Sequence, residues 1–85
     1  MIKVNGEDFR VYSNHKTRID GRFEDWGCGF LVVIENCPMV SVLNGIWTPN
    51  INYDEYHRYV AKVLIEKENS LTGRELKFLS SFYPA

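Results

Sequence analysis

The sequence predicts an α+β fold, in which a small antiparallel sheet of about four to six strands precedes two helices packed on one of its faces. The central strand is predicted from residues 29–35, an unbroken apolar run rich in β-branched residues and typical of a buried strand. Short alternating segments on both sides of this run are separated by Asn-Gly and Asp-Gly dipeptides, a pattern typical of a meander. In the last third of the chain, apolar residues recur at helical spacing instead.

The turns of the predicted meander are assigned to dipeptides that accept the positive φ angles of tight turns. These turns are expected at Asn5-Gly6, Asp20-Gly21 and Asn44-Gly45. The segments that they would join are 2–4 with 8–12, 17–19 with 22–24, and 39–43 with 46–48. We therefore expect hairpins, in which strands that follow one another in the chain lie side by side.

The first helix is predicted over residues 52–69. Asn52 is a favourable N-cap residue, and Asp54 and Glu55 fall in the first turn, where carboxylates interact favourably with the positive end of the helix dipole. The apolar residues that follow recur at helical spacing, so they form one stripe that we expect to face the sheet.

The second helix is predicted over residues 72–83. Thr72 and Glu75 have the spacing of a capping box, in which each side chain binds the backbone N–H of the other residue. The buried side of this helix is predicted to contain Leu76, Leu79 and Tyr83, with Phe78 and Phe82 beside them.

Composition limits the range of functions. The 85 residues are expected to form a single domain, 1–85, whose β-rich part covers 1–49. The net charge of −1 disfavours nucleic-acid binding, which relies on a basic face that releases counterions. The aromatic content of 14%, including five tyrosines, favours an interaction role, since aromatic residues are frequent in binding surfaces.

The start of the chain has no signal-peptide pattern, and no apolar stretch approaches the length that spans a membrane. We therefore expect a cytoplasmic protein that does not interact with membranes. In that compartment Cys28 and Cys37 are expected to be free thiols.

The candidate metal ligands and nucleophiles are Cys28, Cys37, His15 and His57. A closed zinc site usually shows ligands paired roughly two to four residues apart, and these residues are not so paired, so neither a metal nor another cofactor is predicted. A nucleophilic Cys-His pair needs no proximity in sequence, so a small enzyme that uses Cys28 or Cys37 with His57 stays open as an alternative. No oxyanion or orienting motif accompanies either cysteine, and we therefore predict a protein that is not an enzyme.

A binding surface is predicted on the face and edges of the sheet that the helices leave uncovered. Large aromatic residues beside charged ones are typical of binding hot spots, although core aromatics show the same pattern in sequence. The predicted partner-binding residues are Tyr12, Phe23, Glu24, Asp25, Trp26 and Trp47.

One segment resembles a known family. Residues 71–79 read Leu-Thr-Gly-Arg-Glu-Leu-Lys-Phe-Leu, and residues 32–38 read Val-Val-Ile-Glu-Asn-Cys-Pro. Over residues 30–79 the chain resembles the MqsA-type antitoxins and related regulators, in which a zinc ribbon leads into an Xre-type helix-turn-helix. The cysteine and glycine that complete a zinc knuckle are replaced by Val40 and Ser41, and no recognition helix follows. The resemblance therefore implies a scaffold that binds a protein partner but neither holds zinc nor recognises DNA as the family does.

These observations favour a small, non-catalytic regulator that binds a protein partner, as an inhibitor or antitoxin-like factor of the kind carried by phages and mobile elements. A nucleic-acid-binding transcriptional regulator related to antitoxins is the first alternative, and the Cys-His enzyme is the second. Self-association through an open sheet edge is also compatible with this sequence.

Overall fold

The computed structural model of the chain describes residues 2–67 and 71–82 and has the predicted α+β architecture. Its elements, in chain order, are β1 (Ile2–Asn5), a 3₁₀ turn (Gly6–Phe9), β2 (Lys16–Asp25), β3 (Val32–Leu43), β4 (Ile46–Pro49), α1 (Tyr53–Glu66) and α2 (Gly73–Phe82). The fold class predicted from the sequence, a small and mostly antiparallel sheet followed by two helices, is therefore confirmed.

Strand β3 is the centre of a four-stranded sheet. On one side, β2 pairs with it in the antiparallel direction from Val32 to Ser41. On the other side, β1 pairs in parallel with the beginning of β3, and β4 pairs antiparallel with its end. The apolar run 29–35 thus contributes to the central strand, as predicted, because residues covered on both faces must be apolar.

Of the three predicted hairpins, only the one at Asn44-Gly45 is confirmed, where Gly45 has a φ angle of +75° between β3 and β4. The hairpin predicted at Asp20-Gly21 is wrong, because this dipeptide lies in the middle of the ten-residue strand β2. Pairing with the long strand β3 continues on both sides of Gly21, so the tertiary partner overrides the local turn preference.

The hairpin predicted at Asn5-Gly6 is also wrong. The side chain of Asn5 instead accepts a hydrogen bond of 3.0 Å from the amide of Glu7 and begins the 3₁₀ turn. Gly6 packs so closely on β3 that an added Cβ would lie 2.8 Å from both Cys37 Cα and Pro38 Cδ. The turn fills the gap between β1 and β4, and β1 consequently runs parallel to β3 rather than forming a hairpin with β2.

The side chains of β3 change faces in the middle of the strand. Val32 and Ile34 point into the core before Asn36, whereas Cys37 and Met39 do so after it. Asn36 has a φ angle of +51°, which shifts the usual alternation of the strand by one residue. We call the side covered by α1 the helix face, and the opposite side the open face.

The helix predicted over residues 52–69 is observed as α1, with residues 68–70 outside the described part of the chain. The Asn52 side chain accepts a hydrogen bond of 3.2 Å from the Glu55 amide, which confirms the predicted N-cap. Three of its side chains, Tyr56, Val60 and Leu64, are fully buried against the helix face. Among the described helices, none is both long and apolar enough to span a membrane.

The predicted capping box begins α2. The Thr72 hydroxyl accepts a hydrogen bond of 3.2 Å from the Glu75 amide, and Glu75 Oε1 accepts one of 2.9 Å from the Thr72 amide. The burial predicted for Leu76 is wrong, because this side chain is 52% exposed while the neighbouring Glu75 points inward. Leu79, Phe78 and Phe82 are partly buried, as expected, and Tyr83 lies outside the described residues.

Candidate functional site

The structure places the predicted partner-binding residues at two ends of the sheet. Asp25 is paired with Val32 at one end of β3, and Trp47 is paired with Ser41 near the other end. At a rise of about 3.3 Å per residue, these ends are roughly 30 Å apart. The six residues therefore do not form one continuous patch, and each end requires its own description.

At the first end, Asp25 connects β2 to α1. Its Oδ2 accepts a hydrogen bond of 2.7 Å from the hydroxyl of Tyr56, and its Oδ1 accepts one of 3.0 Å from the amide of Gly27. The Tyr56 side chain is completely buried, so its hydroxyl needs a partner inside the protein. Burial raises the pKa of Tyr56, and the hydrogen bond to the Asp25 carboxylate raises it further. Asp25 thus holds the helix on the sheet.

Both cysteines are buried and free. Burial, together with the nearby charge of Asp25, raises the pKa of the Cys28 thiol to about 11. Burial and the charge of Asp20 likewise raise the pKa of Cys37 to about 11. A nucleophilic cysteine reacts as the thiolate, whereas this environment keeps both groups in the thiol form near neutral pH.

The histidines occupy different environments. His15 is exposed in the connection that precedes β2. His57 lies on α1 among aromatic rings, with its ring centroid 5.1 Å from that of Tyr56 and 5.9 Å from that of Phe78. Within residues 2–67 and 71–82, the structure brings together no group of three His, Cys, Asp or Glu residues that could hold a metal ion.

A cavity of about 420 Å³ opens between the turn that follows β2 and helix α2. Gly27, Cys28 and Gly29 form one wall, and Arg74, Lys77 and Phe78 form most of the other. Among the described residues that line it, Arg74 and Lys77 supply two cations, Phe78 an apolar surface and Ser81 a hydroxyl, and the Cys28 thiol is protonated near neutral pH.

The remaining predicted residues at this end differ in exposure. Trp26 is 59% exposed, and its carbonyl accepts a hydrogen bond of 3.0 Å from the Gly29 amide. Glu24 is exposed and forms an ion pair of 3.0 Å with Arg22. Phe23 is partly buried and packs against the core. Trp26 is therefore the exposed aromatic residue of this group and not a core residue.

At the second end, Trp47 packs against the core from the helix face. The guanidinium of Arg18 lies over its ring, 4.4 Å from the centroid, and also forms a 3.0 Å ion pair with Asp20. This arrangement covers much of the indole, so Trp47 is a partly buried residue. Tyr12 is 92% exposed in the segment next to Asn50, whose carbonyl accepts a hydrogen bond from Val11.

Exposed apolar side chains that the sequence prediction missed lie around the Asn44-Gly45 hairpin and on the neighbouring part of β2. They project from β2, β3 and β4 and are each between 44% and 64% exposed: Ile19, Val42, Leu43 and Ile46. We call these four residues the apolar hairpin surface. The sequence signal was present, because Val42, Leu43 and Ile46 flank the Asn44-Gly45 turn, where solvent-exposed positions are usually polar.

The open face divides sharply at Gly21 and Asn36. Beyond this division, the strand pairing places only uncharged residues on the open face: Thr17, Ile19, Pro38, Val40, Thr48 and, past the register shift between Ser41 and Leu43, the pair Leu43 and Ile46. Val42 is the extra residue at this shift. Before it, Lys3, Arg22 and Glu35 line a shallow polar depression around Val33. The members of the apolar hairpin surface other than Val42 therefore belong to a wholly uncharged half of the open face.

No protein-family model, no curated protein and no solved structure matches this chain. The resemblance to MqsA-type antitoxins consequently stays a prediction from the residues that carry it.

Proposed function

We propose that this protein is a small, non-catalytic regulator that acts by binding another protein. The observation that carries the proposal is the apolar hairpin surface, in which Ile19, Val42, Leu43 and Ile46 are each between 44% and 64% exposed to solvent. Scattered exposed apolar residues are normal, whereas a cluster of them on one face is typical of an interaction site.

The chemistry of this surface indicates the kind of partner. The half of the open face that contains it has no charged side chain, and two threonines, Thr17 and Thr48, border the cluster. A charged partner surface would lose hydration there without gaining a counter-charge. The partner is therefore a protein that contributes an uncharged, apolar surface. By covering that surface, this chain would block the partner's activity, which fits the inhibitor or antitoxin-like role.

The proposal does not require catalysis. Cys28 and Cys37, the thiols available for a Cys-His mechanism, are buried and remain protonated near neutral pH. Residues that bind by apolar contact need only be rigidly presented, and the pairing of β3 with both β2 and β4 supplies that rigidity.

The test compares two charge substitutions. A partner is captured from the native host with the wild-type protein and purified, and its dissociation constant is then measured for Ile46→Glu and for Ile65→Glu, with thermal melts alongside. Ile65 is a matched control, since it is 59% exposed on α1, far in sequence from the hairpin. We expect Ile46→Glu to weaken binding by about tenfold or more while Ile65→Glu does not, with both variants melting near wild type.

Equal affinity of wild type and Ile46→Glu would overturn the proposed surface. Loss of binding in Trp26→Ala with retention in Ile46→Glu would assign the contact to the other end of the sheet instead. Trp47→Ala is informative only through its melting temperature, because Trp47 packs on the core.

A further inference from the structure

The long edge of the sheet formed by β2 is open. Strand β2 pairs with β3 along one side over ten residues, and no described strand pairs with its other side. An edge of this length presents a row of backbone N–H and C=O groups that can bind another strand. The opposite side of the sheet is partly covered, because Arg10 forms an antiparallel bridge with Ile51, just after β4.

The residues whose backbone groups point outward from β2 can be identified. In a strand of L-residues, the face on which a side chain lies fixes the edge of the strand to which the backbone N–H and C=O of that residue point. All residues on one face therefore direct these groups to the same neighbouring strand. The Pro38 carbonyl accepts a hydrogen bond from Asn50, on the β4 side, and Pro38 belongs to the open face. The helix-face residues of β3 therefore point toward β2, and the helix-face residues of β2 point back toward β3.

The open-face residues of β2 consequently point their backbone groups away from the sheet. They are Thr17, Ile19, Arg22 and Glu24, since the faces change at Gly21. These positions are symmetric about the middle of the strand, between Asp20 and Gly21. In an antiparallel pair with an identical strand, Thr17 would therefore stand opposite Glu24, and Ile19 opposite Arg22, each with its hydrogen-bonding groups directed at the other.

We propose that two copies of this chain associate through antiparallel pairing of their β2 strands about this midpoint, which joins two four-stranded sheets into one. In this register every pair consists of residues from the same face, as a continuous sheet requires. On the helix face, Lys16 stands opposite Asp25 of the second copy, and Arg18 stands opposite Phe23. The interface is isologous, with each contact made twice about a two-fold axis.

The order of charges along β2 selects a second copy as the partner. The charged residues of β2 are, in order, Lys16, Arg18, Asp20, Arg22, Glu24 and Asp25, so the strand begins with two cations and ends with two anions. Arg18 and Arg22 form ion pairs with Asp20 and Glu24 of their own strand, and the cross-strand pair of opposite charges is Lys16 with Asp25, made twice. Antiparallel pairing brings the basic beginning of one strand beside the acidic end of the other, whereas parallel pairing would place like charges together. Charges on an edge strand discourage association with an arbitrary strand, and here their order makes the identical strand a complementary one.

This interface shares Ile19 with the apolar hairpin surface, because Ile19 stands opposite Arg22 of the second copy. Val42, Leu43 and Ile46 belong to β3 and β4, away from the β2 edge, so the Ile46→Glu test of the proposed function is separate from the tests of this interface. Both faces of the sheet keep their exposure in the pair, because strand addition in the plane of the sheet covers only the edge.

The first experiment measures the mass of the full chain by light scattering and sedimentation over a range of concentrations. We expect a monomer–dimer equilibrium. In Lys16→Glu, attraction to Asp25 becomes repulsion at two symmetric positions, so the dimer dissociation constant should rise by about tenfold. Lys62→Glu is the control, because Lys62 is exposed on α1, and this substitution changes the net charge by the same amount at a position away from β2.

The second experiment follows amide hydrogen exchange residue by residue at low and high protein concentration. The amides of Thr17, Ile19, Arg22 and Glu24 should exchange more slowly as concentration rises, because they become hydrogen bonded only in the dimer. The amides of Arg18 and Phe23, which point toward β3, should be protected at both concentrations. This pattern is a signature that a dimer formed through another surface does not produce.

A chain that stays monomeric at millimolar concentration would overturn the inference. So would a dimer in which the outward amides of β2 exchange rapidly, or one that Lys16→Glu and Lys62→Glu weaken equally.

Discussion

The hydroxyl of Tyr56 donates a hydrogen bond of 2.7 Å to the carboxylate of Asp25, and this contact connects the first turn of α1 to the end of β2. The sequence separates the two residues by 31 positions. Asp25 also accepts the amide of Gly27, so the same carboxylate fixes both the helix and the turn that begins the cavity wall. A residue predicted to bind a partner thus supports the fold.

Substitution Tyr56→Phe should lower the free energy of unfolding by about 1 to 3 kcal/mol, because it removes a hydrogen bond to a charged group and leaves Asp25 Oδ2 without that donor. Chemical denaturation of both proteins measures the difference. Tyr53→Phe is the control, since Tyr53 is 46% exposed and its hydroxyl has no hydrogen bond to any described residue. Equal loss in the two variants would contradict the role of the Asp25 contact.

Substitution Gly6→Ala should destabilise the fold by about 1 to 3 kcal/mol through overpacking. The added Cβ would lie 2.8 Å from backbone Cα of Cys37, which cannot rotate away. Gly73→Ala is the matched control, because the same atom at Gly73 meets no described atom within 4 Å. If thermal melts show Gly6→Ala to be as stable as Gly73→Ala, the close packing of the 3₁₀ turn on β3 is incorrect.

Substitution Thr72→Ala should destabilise the protein by about 1 kcal/mol, because the Glu75 amide loses the hydroxyl that caps the helix. Ser80→Ala, on an exposed position of the same helix, serves as the comparison and should cause little change. The measurement is the midpoint of chemical denaturation, and an unchanged midpoint for Thr72→Ala would place the start of α2 elsewhere.

The buried carboxylate of Glu75 should make stability depend on acid pH. Burial alone would raise its pKa, but hydrogen bonds from the Thr72 amide and the Lys67 ammonium outweigh this effect and lower the pKa below its usual 4.5. A carboxyl group with a lowered pKa in the folded state stabilises that state above the unfolded-state pKa, and the stabilisation is lost as the pH falls through the folded-state pKa.

Glu75→Gln should therefore reduce stability at neutral pH, and the difference from wild type should diminish as the pH falls below about 4.5. Denaturation curves recorded between neutral and acid pH test this expectation. A difference that stays constant over the range would show that the charge of Glu75 does not contribute.

The native thiols should react slowly with alkylating reagents. A pKa of about 11 for Cys28 and Cys37 leaves a much smaller thiolate fraction at neutral pH than the ordinary value of 9.0 does. The difference amounts to roughly a hundredfold, and burial slows access further. Mass spectrometry of the folded and denatured protein after brief alkylation measures both sites. Rapid labelling of a single cysteine in the folded protein would favour the Cys-His enzyme instead.

Local sequence determined the elements whose signals are satisfied within a few residues. The cap at Asn52 and the capping box of Thr72 and Glu75 were predictable because each pairs a side chain with a backbone amide in the next turn. The Asn44-Gly45 hairpin was predictable for the same reason, since its two strands are adjacent in the chain. The apolar run before Pro38 was sufficient to place the central strand.

Tertiary structure decided the features that depend on distant partners. Asp20-Gly21 has the composition of a turn, but the length of β3 offers continuous pairing and keeps β2 extended. Asn5-Gly6 begins a 3₁₀ turn because the gap between β1 and β4 accepts a residue without a side chain. The face on which each aromatic residue lies depends on the shift at Asn36, which no periodic pattern in the sequence reveals. Trp47 lies in β4 on the helix face and packs against the core, whereas Trp26 lies in the turn just after β2 and is 59% exposed. The sequence does not distinguish these two environments, because both depend on the ends and faces of strands that tertiary pairing sets.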